Sequence, residues 1–345
     1  MSEQAARAAV SAPDVLSRTR ALVLPAMQAA VAAIGDERME RIAGYQLGWC
    51  DAEGRPVDGG GKAIRPALAI LSAEAVAGRS DEGIPPAVAV ELVHNFSLLH
   101  DDVMDRDVER RHRPTGWVVF GEGQAILAGN AMLTGAVEVL VRSGAAGLRS
   151  LPVLLEATQR LISGQSQDLD LEGRSEVTLE QVLHMEAGKT AALLACSASI
   201  GAVAAGASAE VAAGLATYGH ELGIAFQLVD DILGVVGDPA TTGKSSSSDV
   251  RAGKRSAPIV AALQAGNAAS LRLAALFVDG PPESEDDVAL ATGLIEEAGG
   301  LGWAMRAADT RLSSALGRLE RLALPNTEAL RDLVAVARYI VDRDR

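Results

Sequence analysis

The sequence predicts an all-α fold, a single-domain helical bundle around a central cavity, on three observations. Apolar residues recur at helical spacing over most of the 345 residues. The 48% apolar fraction is mainly Ala, Val and Leu, with aromatics at only 3%. That mixture suits close-packed helices, because strands favour β-branched and aromatic side chains. No β-alternation of useful length and no internal repeat interrupts the pattern.

In chain order the spacing predicts helices over residues 15–34, 63–77, 87–104, 125–142, 152–171, 179–205, 209–236, 258–265, 287–298, 301–322 and 327–341. The separators 51–61, 78–86, 106–123, 237–253 and 279–285 are short and rich in Gly, Pro and acidic residues, which is turn chemistry. None is long enough to divide the chain. Residues 1–345 therefore read as one domain, with 1–13 expected to form a mobile tail.

Charge and composition exclude several function classes. A formal net charge of −14 argues against nucleic acid or an anionic membrane as partner. Cys50 and Cys196 are the only cysteines, too few for a disulfide framework or a Cys-rich zinc site. Glu3, Arg7 and Asp14 break up any secretory leader, so a cytoplasmic protein is expected. Residues 190–209 carry no charge and are long enough to span a bilayer. They are rich in Ala, Gly and Ser, however, so a buried helix is expected there, with no stable membrane insertion.

Two helix ends are acidic where the helix dipole disfavours acid. On the first, His94, Ser97, Asp101 and Asp105 recur at three- and four-residue steps along one face, with Asp102 beside them. Carboxylates one turn apart repel unless solvated or bridged by a cation, and hard oxygen ligands of this kind suit Mg²⁺ completed by phosphate. The second carries Asp230 and Asp231, with Gln227 one turn before Asp231 and Asp238 further on. A basic loop follows each. The glycine turn Gly59-Gly60-Gly61 feeds a helix with Lys62 and Arg65 in its first turn, a natural diphosphate site. Arg110, Arg111, Lys189, Thr190, Lys244 and Lys254 add anion-binding capacity to a chain of opposite net charge.

These motifs, in this order, resemble the trans-polyprenyl diphosphate synthases of the isoprenoid synthase fold (type I). GGKAIRP at residues 60–66 resembles the isopentenyl diphosphate element, and LHDDVMDRDVERRHRPT at 99–115 the first aspartate-rich motif with its arginine pair. GKT at 188–190 and FQLVDDILGVVGDPATTGKSSSSDVRAGK at 226–254 resemble the later elements. The resemblance implies a Mg²⁺-dependent prenyltransferase that joins isopentenyl diphosphate to an allylic diphosphate, with three Mg²⁺ per site and a homodimeric assembly. It makes Asp101, Asp105 and Asp230 direct Mg²⁺ ligands, with Asp102 and Asp231 as supporting carboxylates. Arg110, Lys189, Thr190, Gln227, Lys244 and Lys254 would hold the allylic diphosphate, and Lys62, Arg65, His94 and Arg111 the isopentenyl diphosphate.

Chain length in such enzymes is set just upstream of the first motif. Phe96 beside the small Ser97 implies a C20 product, geranylgeranyl diphosphate, with farnesyl diphosphate next. One departure stands out: Gly234 occupies the place of the third acid in the second motif. A class I terpene cyclase and a non-catalytic partner subunit are the alternative readings. The scarcity of aromatics argues against the first, since cyclases use them to stabilise cations. The intact acids of the first motif argue against the second.

Overall fold

The computed structural model describes residues 11–342 apart from 58, 173, 175, 238–246, 279 and 283. The expected all-α architecture holds. Helices α1 (Ala12–Ala32), α2 (Glu37–Gln46), α3 (Ile64–Ala77), α4 (Ile84–Met104), α5 (Gly116–Phe120), α6 (Glu122–Arg142) and α7 (Gly144–Leu171) form the first half. Then come α8 (Leu179–Glu186), a π-helical turn (Ala187–Ala191), α9 (Ala192–Ala204) and α10 (Ala209–Val236). Helices Ser248–Arg251, Ala257–Leu263, Ala268–Leu276, Glu285–Ala298, Gly300–Glu320 and Thr327–Asp342 complete the chain. Among the described residues the only paired strands are the two-residue β1 (Glu109–Arg110) and β2 (Arg113–Pro114).

The starts and stops have local causes. Ser11 caps α1 by accepting from the Asp14 amide, so residues 11–13 of the expected tail belong to the helix instead, and residues 1–10 lie outside the described part. Proline at the first helical positions is tolerated because its missing N–H would be unsatisfied there anyway, and α4 accordingly begins at Ile84, ahead of Pro85 and Pro86. Asp36 caps the unexpected α2, accepting from the Arg38 and Met39 amides at 3.0 Å each. Helix α7 starts at Gly144, ahead of the start expected at 152, and carries Pro152 in its interior. Thr178 and Gln181 form a reciprocal capping box on α8.

Helix α9 occupies the centre, packed against α3, α4, α7 and α10. It is the uncharged stretch whose length would span a bilayer, and its buried residues run from Ala192 to Ala204. By length and composition Leu179–Ala204 and Glu122–Arg142 could each cross a membrane; the first is 78% buried within the protein and the second 39%. Two apolar clusters flank α9. One joins it to α3, α10, Gly300–Glu320 and Thr327–Asp342, the other to α1, α4, α6 and α7. The acidic ends of α4 and α10 and the π-helical turn meet at the seam between them.

Candidate active site

At the end of α4, Asp101 and Asp102 are buried while Asp105, the C-cap, is exposed. The hairpin β1–β2 turns the chain back through Arg111 and His112, both at positive φ (53° and 59°), an unusual conformation for side chains of this kind. That return lets Arg110 Nε donate to Asp102 Oδ1 at 2.6 Å, while Asp102 Oδ2 is buried without a hydrogen-bond partner. Burial raises the Asp101 pKa to about 6, against the pull of Lys189. It also raises Asp102 and Asp105, opposed by Arg110 and Lys189 respectively. Uncompensated acid of this kind is stabilised by a cation.

The second half of the site is built on the π-helical turn. Single π turns inside helices re-aim side chains and are frequent at functional sites. Here the turn presents Lys189 and Thr190. Lys189 Nζ pairs with Asp168 Oδ2 at 2.6 Å. Thr190 Oγ1 donates to Gln227 Oε1 at 2.6 Å, and Gln227 Nε2 donates to Asp231 Oδ1 at 2.7 Å. The Ala257 amide donates to Asp231 Oδ2 at 3.0 Å. Both Asp231 oxygens are thus engaged, which suits a supporting carboxylate rather than a direct metal ligand. Burial, reinforced by Asp249, raises the Asp231 pKa to about 6. Asp230, next along the helix, is exposed. Burial works against the Lys254 ammonium, but Asp249, Asp168, Asp231 and Asp230 outweigh it and hold its pKa above the usual lysine value. Asp168, Lys189, Thr190, Gln227, Asp231 and Lys254 line one cleft. Lys189 acts on Asp101 and Asp105, and Lys254 acts on Asp105, which ties the α4 acids to it.

A third group forms beside Gly61. Arg65 Nη1 lies 3.2 Å from His94 Nε2, and Arg65 Nε is buried with no partner. Burial, then Arg65 and Arg111, hold the His94 pKa well below its ordinary value, so the ring is neutral and accepts from Arg65. Burial lowers Arg65 to about 10. Arg111 passes so close to Gly61 that a Cβ there would stand 3.1 Å from Nη1. Lys62 Nζ lies 5.4 Å from the centre of the Tyr339 ring. Glu91 acts on both Arg65 and Arg111, and the orphaned Arg65 N–H beside Arg111 leaves room for a further anion.

The structure thus brings together Asp101, Asp102, Asp105, Lys189, Thr190, Gln227, Asp230, Asp231 and Lys254, and separately Arg65, His94 and Arg111, with Lys62 nearby. Arg110, expected on an anion, donates to Asp102 through Nε, with Nη2 3.7 Å from Asp107. Lys244 and Asp238 lie outside the described residues. Phe96 is buried in the α4–α6 core with its ring edge-on to His100, centroids 5.0 Å apart, and Ser97 Oγ donates to the His94 carbonyl at 2.8 Å. Sequence reasoning missed Asp168 and Glu186, both buried at the cleft. The signal for Asp168 was present: it falls on the apolar face of α7 in step with Leu154, Ala157, Leu161 and Gln165.

Among the described residues no three His, Cys, Asp or Glu side chains could hold a metal ion by themselves. The oxygen donors of Asp101, Asp105 and Asp230, with the orphaned Asp102 oxygen behind them, fit a hard cation that takes one or two carboxylates and is completed by phosphate oxygens.

Comparison with known proteins gives the family. The family model described as Polyprenyl synthetase matches residues 54–295. A (2E,6E)-farnesyl diphosphate synthase of Mycobacterium tuberculosis is 44% identical over 95% of this chain and 92% of its own length. A geranylgeranyl diphosphate synthase of the same organism is 41% identical, covering 96% and 93%. The crystal structure of a polyprenyl synthetase from Streptomyces coelicolor superposes with a TM-score of 0.89 at 47% identity, covering 95% of this chain and 98% of that one. On sequence, fold and site together, the chain belongs to the polyprenyl synthetase family and is a short-chain trans-prenyl diphosphate synthase.

Proposed function

We propose that the protein condenses isopentenyl diphosphate with an allylic diphosphate in the presence of Mg²⁺, giving geranylgeranyl diphosphate as its main product. The observation that carries this reading is the cleft lined by Lys189, Lys254 and Asp231, whose lysines act on the α4 acids Asp101 and Asp105, with the Arg65–His94–Arg111 group as a second anion site. The allylic C1–O bond breaks and diphosphate departs with the electron pair. The isopentenyl double bond then attacks C1, and the proton released goes to the departed diphosphate.

Asp101, Asp105 and Asp230 would hold Mg²⁺, which when bound neutralises charge developing on the leaving group; three ions per site belong to the same reading. Lys189, Lys254 and Thr190 bind that leaving group, and Gln227 and Asp231 fix Thr190 in place. Lys62, Arg65, His94 and Arg111 bind the second diphosphate, with His94 neutral so that it accepts a hydrogen bond from Arg65. The apolar cluster of α4, α6, α7 and α9, including Phe96, keeps water from the cation.

The same reading includes a cytoplasmic location and a homodimer. Leu148, Leu155, Ile162 and Leu169 are 53%, 45%, 44% and 38% exposed and recur every seven residues along α7. Beside them α6 exposes Ile126, Leu127 and Val141. A stripe of that period suits a second copy of the helix pair.

Incubation of the purified protein with Mg²⁺, isopentenyl diphosphate and allylic primers of several lengths tests the proposal. A C20 diphosphate supports it in full, and a C15 product revises the length alone. A cyclic hydrocarbon formed without isopentenyl diphosphate, or no turnover, overturns it. The Phe96→Ala variant should release longer products, read by chromatography. An unchanged profile would remove Phe96 from the chain-length role.

A further inference from the structure

Two stretches of chain meet at the second anion site: the glycine turn 59–61, which leads into Lys62 and Arg65, and the β1–β2 hairpin, which carries Arg111. One short segment, from Tyr45 to Cys50 at the end of α2, is packed against both. A Cβ on Gly48 would lie 2.5 Å from the Gly60 amide nitrogen, and one on Gly59 would lie 2.8 Å from the Gly48 carbonyl oxygen. Backbone therefore lies directly on backbone there, and Arg20 Nη2 donates to the Gly59 carbonyl at 2.7 Å.

The hairpin is tied to the same segment through Arg113. Its Nη2 donates to the Cys50 carbonyl at 2.8 Å and its Nη1 to the Tyr45 carbonyl at 3.3 Å. The guanidinium carbon also stands 4.1 Å from the centre of the Tyr45 ring. A planar fork can reach two acceptors and cover an aromatic face at once, which an ammonium cannot. Tyr45 is 7% exposed, and its hydroxyl donates to the Pro114 carbonyl at 2.7 Å.

The turn of the hairpin needs such an anchor. Arg110 and Arg113 pair across it, and both residues between them, Arg111 and His112, have positive φ. Turns of that kind favour Asn and Gly, so bulkier side chains persist in them only where the surroundings hold the backbone. Arg110 is tied separately to Asp102 at 2.6 Å. Arg111 makes no hydrogen bond or ion pair among the described residues; the turn sets its place, with Glu91 acting on it.

We infer that Arg113, locked onto the end of α2 by Tyr45 and Cys50, is a positioning residue for isopentenyl diphosphate that fixes Arg111 against the glycine turn. The inference rests on the prenyltransferase reading of the second anion site.

Steady-state kinetics of the full-length protein, with each substrate varied in turn, tests it. Arg113→Gln should raise KM for isopentenyl diphosphate about tenfold, the scale of one lost hydrogen bond from a charged group. Tyr45→Phe removes only the hydroxyl that donates to Pro114 and should raise that KM about threefold. In both variants kcat and KM for the allylic diphosphate should stay within about twofold of the parent, a split that a merely structural role does not give. Melting temperatures identify a variant that has lost its fold, and Tyr45→Phe decides if Arg113→Gln is unstable. Parent-like KM for isopentenyl diphosphate in folded variants of an active parent, or equal rises for both substrates, overturns the inference alone. A parent without turnover removes the prenyltransferase reading, and the inference with it.

Discussion

The acidic ends of α4 and α10 solve one problem in two ways. Each carries adjacent aspartates, and neighbours on a helix point about 100° apart. At each end, therefore, one acid of the pair is turned inward and immobilised. Asp102 is held by a cation, Arg110 at 2.6 Å, whereas Asp231 is held by neutral donors, Gln227 at 2.7 Å and the Ala257 amide at 3.0 Å. The other members, Asp101 and Asp230, act on the lysines of the cleft, Asp101 with Lys189 and Asp230 with Lys254. The ends also differ in reach. The α4 acids all come from one helix end and its C-cap. The α10 end draws on the Ala257 amide, which returns to Asp231 from 26 residues further along the chain.

The largest effect separates the members of one pair. Asp101→Ala should lower kcat/KM on the order of 10²–10³-fold, as losing one preorganised charge-stabilising group does, while the ligand-free protein keeps or gains thermal stability. Asp102→Ala should lose stability, since it removes the shorter of Arg110's two ion pairs and leaves only Asp107 at 3.7 Å. Steady-state kinetics beside thermal melts check both. Equal kinetic losses with equal melting shifts would erase the distinction between the inward and the cleft-facing acid.

Next comes the residue that links the two ends. Lys189→Ala removes the cation acting on Asp101 and Asp105 and leaves Asp168, 9% exposed, without its partner. Breaking such a buried pair costs about 3 kcal/mol, so a lower melting temperature should accompany loss of turnover. Lys189→Ala with Asp168→Leu should regain the stability and not the activity.

The comparison also marks how much was legible. The acids and His94 of α4 could be read because i, i+4 spacing alone sets a helix face. Lys189, Thr190 and Gln227 could be named from the resemblance, but not their hydrogen-bonded order, which depends on a π turn that no spacing rule forecasts. Asp168 was hidden for a different reason: an acid on an apolar face looks like a flaw in the pattern until Lys189 is placed opposite it. The fold was legible over the long periodic stretches and failed at the shorter helices α2, α5 and Ala268–Leu276; in α2 charge on most of its faces masks the apolar positions Met39, Ile42 and Ala43.

A smaller effect is shared by both ends. Asp101 and Asp231 each have a pKa of about 6, raised first by burial. Between the ordinary aspartate value and about 6 the folded protein binds more protons than the unfolded chain. Their contribution to stability is therefore fully present below that window and falls as pH rises through it. Binding of a cation needs the ionised forms, so activity should run the opposite way. Lowering the pH from 7 to 5 should reduce kcat/KM with an apparent pKa near 6, and saturating Mg²⁺ should move that midpoint downward. Ligand-free melts over the same range report the opposing trend. A melting temperature that falls along with activity would mean that the folded state does not raise these carboxyls, and activity that holds down to pH 5 would mean that neither is ionised in use.

The smallest effect tests the neutral lock on α10. Thr190→Val keeps the shape of the π-helical turn and removes only the hydroxyl that donates to Gln227 Oε1 at 2.6 Å. Loss of one such hydrogen bond is worth about 1 kcal/mol, a several-fold drop in kcat/KM. Gln227 would keep its bond to Asp231, so Mg²⁺ affinity should barely change while KM for the allylic substrate rises. Thr190→Ser, which retains the hydroxyl, should restore the parent values. If Val and Ser behave alike, the Thr190–Gln227–Asp231 chain is not what orders the α10 end, and the difference between its neutral lock and the cationic lock on α4 carries no functional weight.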